Sequence, residues 1–272
     1  NKDMQVCISL AARPSNIGTR FHNYLYDELG LNFIYKAFST NDLAGAVAGI
    51  RALGIRGCSV SMPFKENIIE LVDELLPSAK AIESVNTVVN NNGVLTASNT
   101  DYEAVLDLIH AHNLDRRDSV LLRGSGGMAK AVVAAFYQAG FENLTILARN
   151  EMRGSELAKK YGFQSVDESL LDAVSTEFDI LVNVTPLGMR GPEQDVVSFP
   201  PLFIEAAKVV FDVVAFPAQT PLVLEAQARG KRVITGAEVI ALQAALQFEA
   251  YTGIRPTADQ ISRASAFSRA DS

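Results

Sequence analysis

The chain has 272 residues, of which 48% are hydrophobic and 20% charged, and its net charge is −7 with a pI of about 5.1. These values predict a globular protein of one large or two modest domains and argue against a broad nucleic-acid-binding surface. Apolar runs of about 18 residues are absent, and no basic segment precedes an apolar one at the start. The sequence therefore predicts neither a membrane span nor a secretion signal, and favours a cytoplasmic protein.

Strand and helix patterns alternate along the first part of the chain. Strands and helices are predicted in turn over residues 6–10, 17–29, 32–38, 43–53, 58–62 and 68–76. Two alternating runs between residues 84 and 99 flank Asn91-Asn92-Gly93, which predicts a hairpin. A helix over 102–112 follows. Such alternation predicts an α/β domain with a mostly parallel sheet.

The second part of the chain begins with an apolar strand over 119–123, a glycine-rich turn and a helix that ends at Gly140. Later strands are predicted over 144–149, 178–183, 209–214 and 231–235. Helices are predicted over 154–161, 221–229 and 236–253, with another after Pro256. We therefore predict two domains: residues 1–100 completed by the C-terminal helices 236–272, and residues 102–235.

The glycine-rich turn follows the G-x-G-x-x-A pattern at Gly124, Gly126 and Ala129. In this pattern the first glycine permits a tight turn, the second lets the backbone approach a pyrophosphate, and the alanine allows close helix–strand packing. The helix that follows offers free N–H groups to the phosphates. The pattern predicts a Rossmann-type dinucleotide-binding domain, and a plain tight βα turn is the alternative.

Two arginines occupy the region in which a dinucleotide-binding domain distinguishes NADP from NAD. NAD-specific sites present Asp or Glu about 20 residues after the glycine turn, at the end of the second strand. Here that position is Arg149, and Arg153 follows in the next helix. Two guanidinium groups match a ribose 2′-phosphate. The sequence favours NADP, with NAD as a possible second cofactor, and solvated surface arginines are the alternative.

The chain resembles the shikimate dehydrogenase family in six segments that occur in the family order: GCSVSMPFKE, SVNTVV, SNTDYEAV, GSGGMAKAV, NVTPLGM and QAALQFEAYTG. It is most similar to the divergent shikimate dehydrogenase-like branch. The resemblance implies a two-domain α/β enzyme that oxidises shikimate at its C3 hydroxyl with NADP, or reduces the 3-dehydro ketone. It also implies a place in aromatic amino acid biosynthesis, the chorismate pathway.

The resemblance also implies residue roles. Lys65 and Asp101 match the catalytic pair, while Asn86, Thr87 and Gln243 match substrate contacts. The implied dinucleotide contacts are Gly124, Ser125, Gly126, Gly127, Met128, Ala129, Arg149, Asn150, Arg153, Thr185 and Gly236. The proton of the reacting hydroxyl needs an acceptor within hydrogen-bond reach. Lys65 and Asp101 could share that proton, Lys65 could instead stay charged and stabilise the oxyanion, or the two could form a plain surface ion pair.

The chain departs from the family where a paired-serine segment binds the substrate carboxylate. Asn16 and Gly18 occupy the serine positions, and Ser15 and Thr19 lie beside them. We expect Ser15, Asn16 and Thr19 to contact the substrate, helped by the nearby cation Arg13 or Arg20. Helix capping is the alternative role for one of these side chains.

Two further departures bear on the substrate. Ala215 stands where the family commonly has a tyrosine, and Glu238 replaces a glycine. A carboxylate at 238 could repel an acidic substrate or pair with an amino or hydroxyl group. These changes predict that a related cyclohexane-ring hydroxy acid such as quinate or an aminoshikimate could replace shikimate.

Other classes of function remain open at this point. A dinucleotide-binding sensor without turnover fits the glycine turn, and so does a reductase of acyl or tetrahydrofolate substrates. Cys7 and Cys58 are predicted to be buried thiols, and His22, His110 and His112 lack metal-site spacing. We expect a small-molecule hydroxy-acid partner, no nucleic-acid or membrane partner, no metal, and a monomer or homodimer.

Overall fold

The computed structural model describes residues 1–270, and the chain divides into two compact units. The first unit contains residues 1–103 together with the described residues from 241 onward, and the second contains residues 104–240. Each unit has a six-stranded sheet. The predicted α/β class with two mostly parallel sheets is confirmed.

The first unit is built on the strand order β2-β1-β3-β5-β6-β4. Its strands are β1 (Gln5–Leu10), β2 (Phe33–Phe38), β3 (Gly57–Val60), β4 (Glu74–Leu75), β5 (Thr87–Asn91) and β6 (Val94–Ser98). Its helices are α1 (Ile17–Glu28), α2 (Leu43–Ala52), α3 (Pro77–Ile82) and α10 (Ala258–Arg269), with a 3-10 helix at Asn67–Leu71. The hairpin β5–β6 is antiparallel, as predicted, and β3 pairs antiparallel with β5.

Apolar side chains cover both faces of the first sheet. Ile8 and Leu10 of β1 pack in the same cluster as Val47 and Ile50 of α2. The other cluster joins α1 to the C-terminal helices, and it contains Phe21, Leu25, Tyr35, Ala245, Phe248 and Tyr251. The alternation along β1 therefore distributes its side chains between two cores, as expected for a sheet covered on both sides.

His22 belongs to the second of these cores. Its ring is fully buried and stacks on Tyr35 with 4.4 Å between ring centroids. Burial lowers the pKa of His22 to about 3, so the imidazole is neutral at neutral pH. Both cysteines are buried as predicted, and burial raises the pKa of Cys7 to about 11. These groups serve packing.

The second unit has a fully parallel sheet in the order β12-β11-β10-β7-β8-β9. Its strands are β7 (Val120–Arg123), β8 (Leu144–Ala148), β9 (Gln164–Asp167), β10 (Ile180–Asn183), β11 (Val209–Asp212) and β12 (Arg232–Thr235). Its helices are α5 (Gly127–Gln138), α6 (Glu151–Tyr161), α7 (Pro201–Ala206) and α8 (Pro221–Ala228), with a 3-10 helix at Glu168–Ala173. Two more helices, α4 (Thr100–Ala111) and α9 (Gly236–Thr252), begin in one unit and end in the other. This strand order is that of a Rossmann-type domain.

The predicted helix over 68–76 is wrong. The structure has the 3-10 helix there, followed by β4, which pairs with β6 through Glu74 and Leu75. Leu76 precedes Pro77 and is extended (φ −75°, ψ 163°), because the proline ring disfavours helical backbone before it. Pro77 then occupies the first turn of α3, which the sequence analysis missed together with β9 and α7.

Two kinds of structural feature are absent from residues 1–270. None of the helices there is both long and apolar enough to cross a membrane. Among the same residues, no three or more His, Cys, Asp or Glu side chains are grouped so that they could hold a metal ion.

Candidate active site

Lys65 and Asp101 form an ion pair in the first unit. Lys65 Nζ donates a hydrogen bond of 2.7 Å to Asp101 Oδ2, and the two side chains are 30% and 19% exposed. Lys65 follows β3, and its carbonyl accepts from the Val85 N–H at 2.8 Å. Asp101 lies in the first turn of α4. Partial exposure leaves both groups accessible to a small molecule while the pair fixes their orientation.

A buried hydrogen-bond network lies around Asn86. Its Oδ1 accepts from the Thr100 N–H at 2.8 Å and from Thr87 Oγ1 at 2.8 Å. Because Asn86 is only 3% exposed and its oxygen is held by two donors, the side chain has one defined orientation. Among residues 1–270 the amide nitrogen of Asn86 donates no hydrogen bond, so it remains available as a donor.

Two glutamines of α9 join this network. Thr100 Oγ1 lies 3.2 Å from Asn86 Oδ1 and 3.3 Å from Gln243 Oε1, so its one proton can be donated to either amide oxygen. Gln247 is buried, and its Nε2 donates to Thr87 Oγ1 at 3.0 Å and to the Asn86 carbonyl at 3.2 Å. Sequence reasoning missed Gln247 and Thr100. Their positions tie Gln243, Asn86 and Thr87 into one rigid group beside α4.

The predicted carboxylate contacts lie at the start of α1. Ser15 and Asn16 are exposed, and Asn16 is the N-cap residue although its side chain accepts no capping hydrogen bond. Thr19 Oγ1 is buried without a hydrogen-bond partner, and Arg20 donates to the Phe267 carbonyl on α10. Among residues 1–270 no hydrogen bond joins Ser15, Asn16 or Thr19 to the Asn86 network. Their contact with a substrate stays a prediction.

The glycine turn of the second unit connects β7 to α5. Gly124 has φ +121°, and a Cβ there would lie 2.8 Å from Val184 Cγ2, so only glycine fits. A Cβ on Gly126 or Gly127 would meet nothing within 4 Å, which leaves the backbone open to an approaching ligand. Ala129 is fully buried under the turn. The turn thus has the open backbone and free helix N-terminus that a pyrophosphate requires.

A cavity of about 590 Å³ opens beside this turn. Its lining includes Gly124, Ser125, Gly126, Arg149, Asn150, Arg153 and Thr185. Asn150 Oδ1 caps α6 by accepting from the Arg153 N–H at 3.0 Å. Both arginine side chains are exposed, and neither has an acidic partner in the part of the chain that the structure describes. This donor set suits an anionic group on a ribose.

Other predicted dinucleotide contacts have structural roles of their own. Thr185 Oγ1 donates to Asn183 Oδ1 at 2.6 Å, which fixes the loop after β10. A Cβ on Gly236 would lie 2.3 Å from the Val214 carbonyl oxygen, so the start of α9 approaches that backbone as only glycine allows. Gly127 and Met128 form the first turn of α5.

Sequence reasoning missed three charged residues of the same cavity, Arg123, Glu168 and Glu193. Arg123 ends β7, and Glu168 follows β9. Arg123 Nε donates to Glu168 Oε1 at 2.9 Å, and both side chains line the cavity. The signal available in the sequence was an arginine at the end of an apolar strand, directly before Gly124.

Glu238 has hydrogen-bond partners at the start of α9, and its effect on a substrate stays a prediction. Its Oε2 accepts from both the N–H and the hydroxyl of Thr235 at 2.7 Å, and its Oε1 lies 3.3 Å from His112 Nε2. The Glu238 N–H in turn donates to Thr235 Oγ1. Thr235 and Glu238 therefore form a capping box at the start of α9. The carboxylate is satisfied by its own helix terminus and by His112.

We expect Glu238→Ala to lower the free energy of unfolding by about 1 kcal/mol, because two donors at the start of α9 lose their acceptor. Urea unfolding followed by circular dichroism would measure the change. Glu238→Gln keeps an acceptor oxygen and should retain most of the stability. Equal destabilisation by both substitutions would instead assign the effect to the charge facing His112.

Comparison with known proteins agrees with this geometry. The family model described as the shikimate dehydrogenase substrate binding domain matches residues 16–88, and the model described as shikimate / quinate 5-dehydrogenase matches residues 109–186. A shikimate dehydrogenase-like protein of Haemophilus influenzae is 56% identical over 270 residues, which cover 99% of this chain and 98% of the relative.

Solved structures show the same similarity. A shikimate 5-dehydrogenase-like protein superposes with a TM-score of 0.96 at 57% identity over 99% of both chains. Shikimate 5-dehydrogenase of Thermus thermophilus, solved in complex with NADP(H) and shikimate, gives 0.86 at 30% identity over 97% of this chain and 100% of that one. The chain therefore belongs to the shikimate dehydrogenase family, a family of oxidoreductases.

Proposed function

We propose that the protein is an NADP-dependent dehydrogenase that interconverts shikimate, or a close cyclohexane-ring hydroxy acid, and its 3-dehydro ketone. The observation that carries the proposal is the Lys65–Asp101 pair at 2.7 Å, placed on the same unit as the buried amide network of Asn86 and Gln243. In this proposal residues 1–100 with the C-terminal helices bind the substrate, and residues 102–235 bind the dinucleotide.

The pair handles the proton of the reacting hydroxyl. In the oxidation direction the O–H proton passes to the Lys65–Asp101 pair as the carbon loses hydride and the ketone forms. A bound NADP would supply the acceptor for that hydride. Because the lysine and the carboxylate share a hydrogen bond, they exchange protons as a unit, and Lys65 in its charged form stabilises the developing oxyanion.

The amide network orients the substrate ring. Asn86 Oδ1 is occupied by the Thr100 N–H and Thr87 Oγ1, which leaves Nδ2 free to donate to a ring hydroxyl. Gln243 Oε1 faces Thr100 Oγ1, so its amide nitrogen is available in the same way. Donors held in place by buried partners lose little entropy on binding, which favours a polyhydroxylated ligand.

The cavity beside the glycine turn supports NADP as the cofactor. Open space over Gly126 admits the pyrophosphate, and the unpartnered guanidinium groups of Arg149 and Arg153 suit the 2′-phosphate. Relatives with NADP(H) in their structures carry the same fold.

A substrate panel tests the proposal. The purified protein is incubated with shikimate, quinate and aminoshikimate, each with NADP and with NAD, and formation of reduced cofactor is followed by absorbance. We expect turnover of at least one of these acids, faster with NADP. Binding of NADP without turnover on any of them would favour a dinucleotide sensor, and turnover only with NAD would contradict the assignment of the arginines.

A further inference from the structure

An ion pair closes the cavity of the second unit at the point where two strands end. Glu168 Oε1 accepts from Arg123 Nε at 2.9 Å and also from an Arg123 Nη, and another Nη of Arg123 donates to the Ser198 carbonyl. The two side chains are only 15% and 26% exposed, and both line the cavity. The pair is therefore built into the wall of the cavity.

Unused hydrogen-bonding capacity remains on both partners. Glu168 Oε2 accepts no hydrogen bond from residues 1–270, whereas Oε1 of the same carboxylate accepts from Arg123. A guanidinium has five N–H donors. Arg123 uses three of them on Glu168 and Ser198, which leaves two. The wall thus offers one acceptor and a neighbouring donor of defined position.

Charge divides the cavity into two parts. Arg149 and Arg153 are exposed and have no acidic partner in the described chain, so they give one part a positive potential. Arg123 is neutralised by Glu168 and gives no such potential. A phosphate would therefore bind at the first part, while the neutral pair suits an uncharged heterocycle with donor and acceptor edges.

We propose that Arg123 and Glu168 select adenine as the base of the bound dinucleotide. This inference rests on the proposed function. The 6-amino group of adenine donates to Glu168 Oε2, and the adjacent ring nitrogen accepts from Arg123. A 6-oxo purine presents the opposite pattern, an acceptor at position 6 and a ring N–H, so it places acceptor against acceptor and donor against donor.

Calorimetric titration without substrate tests the pairing. Dissociation constants are measured for NADP and for its hypoxanthine analogue, in which a 6-oxo group replaces the amino group. We expect the wild-type protein to bind NADP about tenfold or more tightly than the analogue, since the mismatch places acceptor against acceptor and donor against donor. Equal affinities would overturn the inference.

Glu168→Gln gives the sharper result. Arg123 has only N–H donors, so the amide oxygen of the new glutamine must face it. The NH2 group of that glutamine then faces the cavity in place of Oε2. That exchange turns an acceptor into a donor. We expect the ratio of the two affinities to shift by about tenfold or more towards the analogue. An unchanged ratio in a variant with wild-type melting behaviour would overturn the pairing.

Glu193→Gln is the matched control, because Glu193 lines the same cavity and the chemical change is identical. Glu193→Gln should leave the ratio of the two affinities unaltered. If Glu193→Gln shifted this ratio and Glu168→Gln did not, Glu193 and not Glu168 would select adenine. The measurement also separates the two proposals. Absence of NADP binding to the wild-type protein would defeat the proposed function, whereas binding without discrimination would defeat only the adenine inference.

Discussion

Lys65→Ala is expected to lower turnover of the preferred hydroxy acid about 10³-fold, because the proposed proton-accepting pair then lacks its amine. NADP binding, measured by titration, should remain at the wild-type level, since all residues that line the dinucleotide cavity lie outside the first unit. Initial rates under saturating cofactor and substrate would measure the effect.

The control for this substitution is Lys80→Ala. Lys80 is an exposed lysine in the last turn of α3, so its replacement removes the same charge from the same unit. We expect no change in rate. Turnover by Lys65→Ala within a factor of about two of the wild type would remove this lysine from the mechanism.

Asp101→Asn tests whether the pair acts as a unit. If the two groups share one proton, the double variant should be little slower than either single variant, because each single change already abolishes the shared function. If the rate loss of the double variant instead equals the product of the two single losses, lysine and aspartate act independently.

The sequence predicted the fold well where strands are buried on both faces. Segments such as 120–122 and 180–182 are continuous apolar runs, and parallel sheets that are covered on both faces favour such runs. The failure at 68–76 has a definite cause. Ile68, Ile69, Leu71, Val72 and Leu75 have a spacing that suits a helix, but pairing of β4 with β6 and the proline at 77 decide the backbone there.

The site residues were predicted from short sequence motifs, and such motifs do not show which distant residues contact them. Lys65 and Asp101 are 36 positions apart, and Gln247 reaches Thr87 across 160. No local pattern encodes such contacts. Arg123 and Glu168 likewise meet only because their strands end at the same edge of the sheet.

At Glu238 the sequence contained a structural signal that the prediction did not use. The pattern Thr235-x-x-Glu238 before an apolar helix is a capping-box signature that was present in the sequence. Because the family has a glycine at this position, the carboxylate was instead predicted to repel an acidic substrate or to pair with an amino or hydroxyl group. The structure shows that the helix terminus uses this carboxylate, so Glu238 has a structural role that the comparison with the family's glycine did not suggest.

Replacing Arg149 and Arg153 together by alanine is expected to weaken NADP binding by about 100-fold while leaving NAD binding within a factor of about three. Each guanidinium supplies charge-assisted hydrogen bonds to a 2′-phosphate, and NAD has no group at that position. Asn150 still caps α6 through the backbone N–H of residue 153, so the helix should persist. Calorimetric titration with both dinucleotides would measure the two constants.

Lys159→Ala is the matched control for charge on the same helix. Lys159 is exposed in the last turn of α6 and does not line the cavity, so its removal changes the net charge without touching the phosphate position. It should alter NADP affinity by less than about twofold. If the double arginine variant weakened NAD as much as NADP, the arginines would be contacting the pyrophosphate or shaping the cavity. The preference for NADP would then have to arise elsewhere, because no carboxylate stands at the end of β8 to favour NAD.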